Sequence, residues 1–410
     1  MRIGMFFLSN VDAGGNFQQA LSIIMAAERS GLSRYEILVV TFSKAACERA
    51  CRAGLNAIWF NYSKFSRWTD ALAASEIGHV VFGALRKLGL RNIGRRLDRL
   101  LDSHAIDLAV FNEHTSLPIG IAEHHYIATV MDLCHRKWSE FPEVYRQRDF
   151  ERRERMFKAV LPRALAVIVN STTDAEMVSR FYGVSRDRIV EMPFLPSLAV
   201  RKYIAGESHV TPEAVRLKYK LPDRYIFYPA QFWAHKNHLY ILEAMAELLS
   251  RGIVLDAVFC GSDKGNVDIV HAYARKLGVA KYLHFLGFVQ DEDIPPLYAG
   301  ALALVMPTYF GPTNLPPLEA AAVGCPIIYS DFPEFRDQLK GAALYCDLSN
   351  PSSLAEHLMT LLASPDAGAG LRQEGRALVA ALDFVDYGRK LAGIWDRFAY
   401  VRRRWSVPAD

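Results

Sequence analysis

The sequence has no run of apolar residues that approaches the ~20 positions a membrane-spanning helix needs. Its first ten residues, MRIGMFFLSN, hold one arginine and a short apolar run, whereas a signal peptide needs a longer apolar region and a cleavage site of small residues. The six cysteines are scattered. Cys47 and Cys51 lie one helical turn apart, but no second pair completes a zinc site. We therefore expect a buried first strand, reduced thiols and a cytoplasmic protein.

An excess of charge of one sign is also lacking. The chain has 48 Lys and Arg residues and 44 Asp and Glu residues. The resulting net charge of +4 is too small to indicate nucleic acid as a partner. The sequence contains neither a repeat of solenoid length nor a low-complexity tract. With 51% hydrophobic and 22% charged residues, the composition is that of a globular protein, and 410 residues suggest two domains.

The sequence does contain a regular alternation of short β-rich runs and helical patterns. Most of the runs, such as DLAVF and ALALVMP, are continuously apolar, as strands of a parallel sheet covered on both faces are. The alternation predicts an α/β protein with two doubly wound parallel sheets. Residues 193–210 contain prolines and lack a clear period, which indicates a linker. Ligands of such folds bind at the carboxyl ends of the strands, so the chemistry should lie in the loops that follow them.

Two loops of the first half carry candidate site residues. Gly14 and Gly15 follow the first strand in SNVDAGGNFQQAL and open a helix, where backbone N–H groups can approach an anion. A plain tight turn explains this glycine pair equally well. In ATVMDLCHRKW, Asp132 and His135 follow a strand and can serve acid–base or orienting roles. A capping aspartate and a surface histidine are the alternative.

Two further loops lie in the second half. In YPAQFWAHKNH, Lys236 precedes a long helix, where its ammonium group and the helix dipole both attract phosphate; a solvated helix entrance is the alternative. In FGPTNLPPLEA, Thr313 or Asn314 can cap a helix whose first turn is set by two prolines. This rigid entrance is expected to act as an anion seat. Glu319, about one turn further on, either accepts two hydrogen bonds from a ribose diol or complements the helix dipole.

The segment PTYFGPTNLPPLEAAAVGCPII resembles the donor-binding signature of glycosyltransferase family 4. That signature is typically P-S-x-x-E-G-F-G-L-P-x-x-E-A, followed by a helix of small residues, Gly and Pro. The positions that fit its spacing are Thr308, Gly311, Asn314, Leu315, Pro316 and Glu319. PAQFWAHKNH is similar to the family's phosphate loop, R-x-x-x-x-K, with Lys236 at the lysine position, and DAGGNFQQAL resembles its N-terminal glycine loop.

The chain departs from the family pattern at three positions. Gly311 stands where the family has the first glutamate of its E-x-x-x-x-x-x-x-E pair, and Gln231 replaces the arginine of the phosphate loop. Met131 takes the place of the histidine that precedes the aspartate of the catalytic loop. One donor-sugar contact, one phosphate cation and one catalytic-site donor are thus missing from their usual places. These departures support a rival hypothesis, a catalytically weakened nucleotide-sugar-binding or scaffold protein of the same fold.

The resemblance implies a GT-B fold, in which two Rossmann-like domains face a central cleft. It places an acceptor-binding domain at 1–195, a nucleotide-sugar-binding domain at 196–383 and, at 384–410, a helix that crosses back to the first domain. It implies a retaining, metal-independent hexosyltransferase that needs no cofactor and uses a nucleotide diphosphate sugar as co-substrate. The GPTN and HKNH motifs resemble a mannosyltransferase-like subgroup of bacterial surface-polysaccharide synthesis (O-antigen, capsule or exopolysaccharide). The expected acceptor is therefore a glycan or a lipid-linked glycan.

The resemblance also suggests roles for individual residues. Asp132 and His135 are candidate catalytic residues that replace the missing histidine, and no metal site is expected. The predicted donor-binding residues are Gly14, Gly15, Gln231, Lys236, Thr313, Asn314, Leu315 and Glu319. Residues 86–101, RKLGLRNIGRRLDRLL, place Arg and Lys around a stripe of Leu and Ile. This pattern predicts either peripheral attachment to the anionic inner face of the cytoplasmic membrane or the solvated face of a packed helix.

Overall fold

The computed structural model describes residues 1–8, 15–29, 34–63, 65–66, 69–70, 95–311, 313–382 and 384–405. The chain forms two compact units. Unit 1 consists of Met1–Leu133, Phe150–Pro193 and Asp383–Asp410, and unit 2 consists of Cys134–Asp149 and Phe194–Leu382. The main boundary lies two residues before the predicted one. The segment 134–149, which the sequence analysis assigns to the first domain, belongs to unit 2.

The described part of unit 1 is built on a sheet of seven parallel strands in the order β3-β2-β1-β4-β5-β6-β7. The strands are β1 (Arg2–Phe7), β2 (Glu36–Thr41), β3 (Ala57–Trp59), β4 (Leu108–Phe111), β5 (His125–Val130), β6 (Ala166–Val169) and β7 (Ile189–Glu191). β4 and β6 are buried along their whole length, as their continuous apolar sequences predict for a sheet covered on both faces.

Helices flank this sheet in the order expected of alternating β and α elements. The helices of three turns or more are Gly15–Arg29, Asp149–Val160, Thr172–Tyr182 and Phe384–Arg402, and shorter ones are Lys44–Arg52 and Arg96–Ser103. The C-terminal helix packs against the helix that follows β1. Its Trp395 is fully buried and meets the ring of Tyr35 edge-on, with 5.3 Å between the ring centroids. The last helix thus adds to the core of unit 1.

The basic segment 86–101 lies largely outside the described residues. In its described part, Leu97, Leu100 and Leu101 are buried in the core of unit 1, while Arg96 and Arg99 are exposed. These leucines pack inside the protein and are not available to contact lipid. Attachment of segment 86–101 to anionic lipid stays a prediction. None of the helices in the described part of the chain is long and apolar enough to cross a membrane.

The described part of unit 2 is built on a second sheet, of six parallel strands in the order β10-β9-β8-β11-β12-β13. The strands are β8 (Tyr225–Pro229), β9 (Asp256–Cys260), β10 (Leu283–Phe285), β11 (Ala303–Met306), β12 (Ile327–Ser330) and β13 (Leu344–Cys346). Both sheets have the strand order of a doubly wound fold, so the prediction of two doubly wound parallel sheets is confirmed.

The helices of unit 2 lie between and beyond these strands. They are Cys134–Lys137, Pro142–Tyr145, Leu198–Ile204, Pro212–Tyr219, His238–Ser250, Val267–Lys276, Ile294–Gly300, Leu315–Val323, Pro333–Leu339, Pro351–Ala363 and Ala369–Ala380. The helix Leu315–Val323, which follows the proline-rich entrance, ends at Gly324 with a φ of 77°. A glycine in this left-handed conformation is a common helix terminator.

Candidate functional site

The strand order of unit 2 reverses between β8 and β11, which are neighbours in the sheet although two strands separate them in the chain. The loops that leave the carboxyl ends of such a pair diverge to opposite faces of the sheet, and the crevice between them is the usual ligand site. The loop after β8 carries Gln231 and Lys236, and the loop after β11 carries Thr313 and Asn314. The fold therefore brings two motifs, about 80 residues apart in sequence, to one edge of one sheet.

The position of Lys236 is set by regular structure on both sides. It ends a single helical turn, Ala234–Lys236, and the helix His238–Ser250 begins two residues later. Asn237 between them has a φ of 54°, a left-handed conformation that asparagine adopts more readily than most residues. The hydroxyl of Tyr228 in β8 donates to the carbonyl oxygen of Lys236 at 3.0 Å. This turn is therefore tied directly to the sheet.

Asn314 connects Lys236 to the second loop. The Lys236 ammonium nitrogen lies 3.5 Å from Oδ1 of Asn314. Nδ2 of Asn314 lies 3.3 Å from the carbonyl oxygen of Phe310, 3.2 Å from that of Gly311 and 2.6 Å from the hydroxyl of Tyr329. The NH2 group of the Asn314 amide donates to these carbonyl oxygens, so the amide oxygen faces the lysine. The structure thus holds the ammonium group at the entrance of the helix Leu315–Val323.

Gly311 stands where the sequence signature expects a glutamate, and the backbone explains the difference. Its φ is 95°, in the region that side chains other than glycine rarely adopt. A Cβ atom added at this position would lie 2.9 Å from both Nδ2 and Oδ1 of Asn314. The Gly311 N–H group also donates to Sγ of Cys134 at 3.1 Å. The glycine and the asparagine therefore fit each other, and this loop conformation leaves no room for an acidic side chain.

We expect Gly311→Ala to lower the free energy of unfolding by about 1–2 kcal/mol because of its left-handed backbone. It should also weaken nucleotide binding, since the added methyl group displaces the Asn314 amide that faces Lys236. Urea unfolding and titration calorimetry measure the two effects. Gly370→Ala is the matched control: nothing lies within 4 Å of its Cβ position, and alanine is favoured there by about 0.5–1 kcal/mol inside a helix. Equal effects of both substitutions would contradict a special role for Gly311.

Glu319 lies about one turn inside the helix Leu315–Val323 and is 6% exposed. The buried hydroxyl of Tyr298 donates to its Oε2 at 3.2 Å, and Ser197 hydrogen-bonds to it through its side chain and its backbone. Burial raises the pKa of Glu319 to about 7, although these hydrogen bonds oppose the shift. The acid therefore joins its helix to the neighbouring elements, and its contact with a ribose stays a prediction.

Comparison with protein families covers both units. The family described as Glycosyltransferase Family 4 matches residues 39–193, and that described as Glycosyl transferases group 1 matches residues 213–378. The chain belongs to glycosyltransferase family 4. The family resemblance that the sequence analysis drew from the PTYFGPTNLPPLEA segment is confirmed.

Two relatives of this chain illustrate the range of the family. The D-inositol 3-phosphate glycosyltransferase of Corynebacterium aurimucosum is 26% identical over 50% of this chain and 48% of the relative. The O-antigen chain mannosyltransferase B of Escherichia coli is 24% identical over 51% of this chain and 54% of the relative. The chain thus spans about half the length of the curated relatives it matches.

The solved structures match over nearly the whole chain. The crystal structure of Anabaena Alr3699/HepE in complex with UDP-glucose is 16% identical, with a TM-score of 0.71 over 97% of this chain and 100% of that one. At this identity the likeness concerns the fold alone, which is GT-B. The predicted fold class is therefore confirmed.

Gln231, which replaces the phosphate-loop arginine, has a defined orientation in the structure. The indole N–H of Trp233 donates to its Oε1 at 3.0 Å, and the ammonium nitrogen of Lys264 lies 5.7 Å from the centre of the Trp233 ring. Because the amide oxygen of Gln231 accepts the indole N–H, the amide nitrogen Nε2 is the atom that can donate to a phosphate oxygen. Gln231 itself brings no charge, whereas Lys236 lies in the same loop after β8 and Lys264 lies in the loop after β9.

The helix entrance offers fewer backbone donors than the sequence analysis expects of an anion seat. Two of the first three positions of the helix Leu315–Val323 are prolines, which have no N–H group. The N–H group of Asn314 donates to Oε1 of Gln338 at 3.2 Å. In contrast, Oγ1 of Thr313 is buried and has no hydrogen-bond partner among the described residues. The side chain of Leu315 is buried, so a donor sugar nucleotide could contact this residue only through its main chain.

The two candidate catalytic residues fall in different units. Asp132, in unit 1, forms an ion pair with Arg153: Nη2 lies 2.7 Å from Oδ1 and 2.9 Å from the Asp132 carbonyl oxygen. Sequence reasoning did not single out Arg153, since the pair forms only through the fold. Met131, at the position of the missing histidine, is buried. His135, in unit 2, is fully buried, and the catalytic roles of Asp132 and His135 stay predictions.

The N-terminal glycine loop is described only at its end. Gly15 is the first residue of the helix Gly15–Arg29, as the sequence predicts. Gly14 lies outside the described residues, together with the rest of the loop at 9–14. The donor-binding roles of both glycines therefore stay predictions.

Glu143 is a second residue that the sequence analysis did not single out. It lies in the short helix Pro142–Tyr145, and its Oε1 accepts the backbone N–H of His235 at 2.9 Å. The same oxygen contacts Nδ1 of the His235 ring. Since 92 residues separate the two in the chain, no local sequence pattern identifies the pair.

Proposed function

We propose that this glycosyltransferase transfers a hexosyl group from a nucleoside diphosphate sugar to a hydroxyl group of a glycan or lipid-linked glycan. The transfer would proceed with retention and without a metal ion. The observation that carries the proposal is the Lys236 ammonium group, which Asn314 holds at the switch point of the second sheet. An ammonium group beside two helix entrances favours the binding of a diphosphate.

The comparisons support a narrower version of this activity. The Escherichia coli relative is an O-antigen chain mannosyltransferase, which supports a mannose-like donor sugar and a role in the synthesis of surface polysaccharides. The Anabaena structure is a complex with UDP-glucose, which supports a nucleotide sugar as the donor class. The GPTN and HKNH motifs of this chain point to the same subgroup.

In the proposed reaction, the bond between the anomeric carbon and the diphosphate oxygen breaks while the acceptor oxygen bonds to the same face of the sugar. The proton of the acceptor hydroxyl passes to the departing diphosphate. Lys236 would stabilise the negative charge that develops on this leaving group, since a fixed cation needs no rearrangement at that moment. Nε2 of Gln231 and Oγ1 of Thr313 would add hydrogen bonds, and Glu319 would bind the ribose.

A binding protein without activity is the second candidate, and Gly311 is the observation that favours it. The backbone at Gly311 and the Asn314 amide leave no room for the acid that the family signature has there. Asn314 would have to take over part of the donor-sugar contacts in an active enzyme. The two candidates differ in whether a bound nucleotide sugar is ever cleaved.

A panel of nucleotide sugars that includes GDP-mannose and UDP-glucose tests the proposal. We expect one donor to release its nucleoside diphosphate, faster when a glycan acceptor is added and equally well in the presence of EDTA. The anomeric proton of the product, followed by NMR, should show the configuration of the donor. Binding of a donor without release of nucleotide under any acceptor condition would favour the binding protein, and inhibition by EDTA would overturn the metal-independent mechanism.

A further inference from the structure

The contact between Glu143 and His235 is largely shielded from solvent and consists of two hydrogen bonds. The two side chains are 10% and 11% exposed, and one carboxylate oxygen of Glu143 meets both the backbone N–H and the ring Nδ1 of His235. A single oxygen that binds a residue by its main chain and its side chain fixes both the backbone and the ring. Glu143 therefore sets the conformation of the residue that directly precedes Lys236.

His235 in turn joins the two loops that form the candidate donor site. Its ring stacks on the ring of Phe310, with 4.0 Å between the centroids and 12° between the planes. Its carbonyl oxygen accepts the N–H of Tyr309 at 2.9 Å. Phe310 is the residue before Gly311, and its own carbonyl oxygen lies 3.3 Å from Nδ2 of Asn314. A displaced His235 would thus disturb both Lys236 and its partner Asn314.

The segment that carries Glu143 has its own anchors on the same loop. The ring of Phe141 meets the ring of Phe310 edge-on, with 5.2 Å between the centroids. Upstream, Sγ of Cys134 accepts the N–H of Gly311 at 3.1 Å. Glu143 is therefore presented from a segment that is packed at two points, and its carboxylate acts as a fixed support.

The charge of Glu143 needs a reason, because a carboxylate near a diphosphate site would repel the ligand. Burial alone would raise the pKa of Glu143, but the hydrogen bonds from His235 hold the pKa below its ordinary value. The carboxylate is thus ionised at neutral pH and is compensated by the donors of His235. An acid that is largely shielded from solvent is costly without its partner, so the loss of either side chain should disturb the other.

We propose that Glu143 is a positioning residue for the nucleoside diphosphate. It holds His235, and through His235 it fixes the Lys236 turn on one side and the Phe310–Asn314 loop on the other. This inference rests on the proposed function, because the ligand it serves is the diphosphate of the donor. It adds a residue outside the donor-binding motifs to the determinants of donor affinity.

Titration calorimetry of GDP and UDP with four proteins tests the inference: the wild type, Glu143→Gln, His235→Asn and the double variant. We expect Glu143→Gln to lower the affinity for the nucleotide that the wild type binds by roughly tenfold. The affinity of the double variant should be little lower than that of either single variant. Hydrogen exchange of the amides at 234–237 should be faster in Glu143→Gln without any nucleotide. Glu140→Gln, an exposed change in the same segment, is the matched control and should stay within about twofold of the wild type.

The outcomes separate the inference from the proposed function. If the wild type binds a nucleotide and Glu143→Gln binds it equally well, the positioning role is wrong and the function stands. Additive losses in the double variant would also overturn the coupling through His235. If the wild type binds no nucleoside diphosphate, the proposed function fails and the inference fails with it. Should Glu143→Gln not fold, Glu143→Asp, which keeps the charge but shortens the reach, carries the same comparison.

Discussion

Lys236→Ala is expected to weaken the binding of nucleoside diphosphates by about 1.5–3 kcal/mol, which is roughly 10- to 150-fold in the dissociation constant. Contacts of a charged donor with phosphate are of this size. The effect should lie at the upper end because Gln231 brings no charge to the same loop, which leaves Lys236 as the ammonium group of that loop. The value of kcat/KM for sugar transfer should fall by a similar factor or more, since the leaving group gains charge in the transition state.

Titration calorimetry with GDP and UDP, together with the initial rate of transfer, measures both effects. Lys276→Ala is the matched control, because it removes an exposed lysine of the same unit that lies on the ring of Tyr273. Lys236→Arg should recover part of the affinity, since the charge is kept while the distance to Asn314 changes. Unchanged affinity in Lys236→Ala for every diphosphate tested would show that the donor binds elsewhere.

The fold could be predicted because its cause is spread over the whole sequence. Parallel strands buried on both faces are continuously apolar, so β4 and β11 stand out without any knowledge of their partners. The strand order then follows from the rules of α/β folds, and it brings the loops after β8 and β11 together. For this reason the Lys236 and Asn314 motifs could be found as loops that follow strands before their contact was known.

The parts of the site that sequence reasoning missed depend on contacts between distant residues. Arg153 pairs with Asp132 across 21 positions, and Glu143 reaches His235 across 92. The reason for Gly311 lies in a φ of 95° and in the space taken by Asn314, neither of which a sequence pattern states. The donors of the helix entrance were overestimated because the prolines there remove N–H groups from the very turn they make rigid.

Glu319→Gln is expected to change the pH dependence of stability. Burial raises the pKa of Glu319 from 4.5 to about 7, so between these values the folded protein holds a proton that the unfolded chain has released. The contribution of Glu319 to the free energy of unfolding should therefore be largest below about pH 4.5 and fall as the pH rises towards about 7. The contribution of this one group is at most about 1.4 kcal/mol per pH unit.

The glutamine variant has no proton to lose and should lack this slope. Its stability relative to the wild type should therefore increase from acid to neutral pH, which urea unfolding across that range measures. Glu356→Gln, an exposed change on the helix Pro351–Ala363, should keep the wild-type slope. Parallel stability curves for the wild type and Glu319→Gln would mean that the carboxyl is ionised throughout and that Tyr298 and Ser197 outweigh its burial.

The same variant decides whether Glu319 also binds the ribose. A carboxylate that accepts hydrogen bonds from the two ribose hydroxyls should lose about 1.5–3 kcal/mol of nucleotide affinity in Glu319→Gln. This loss should shrink for a 2′,3′-dideoxy nucleotide, because the partner hydroxyls are then absent. Two proteins against two nucleotides form a thermodynamic cycle that isolates the contact from any change in folding. If the coupling energy is near zero while the stability changes as described, the acid serves Tyr298 and Ser197 alone, and the donor is held by Lys236 and the loops around it.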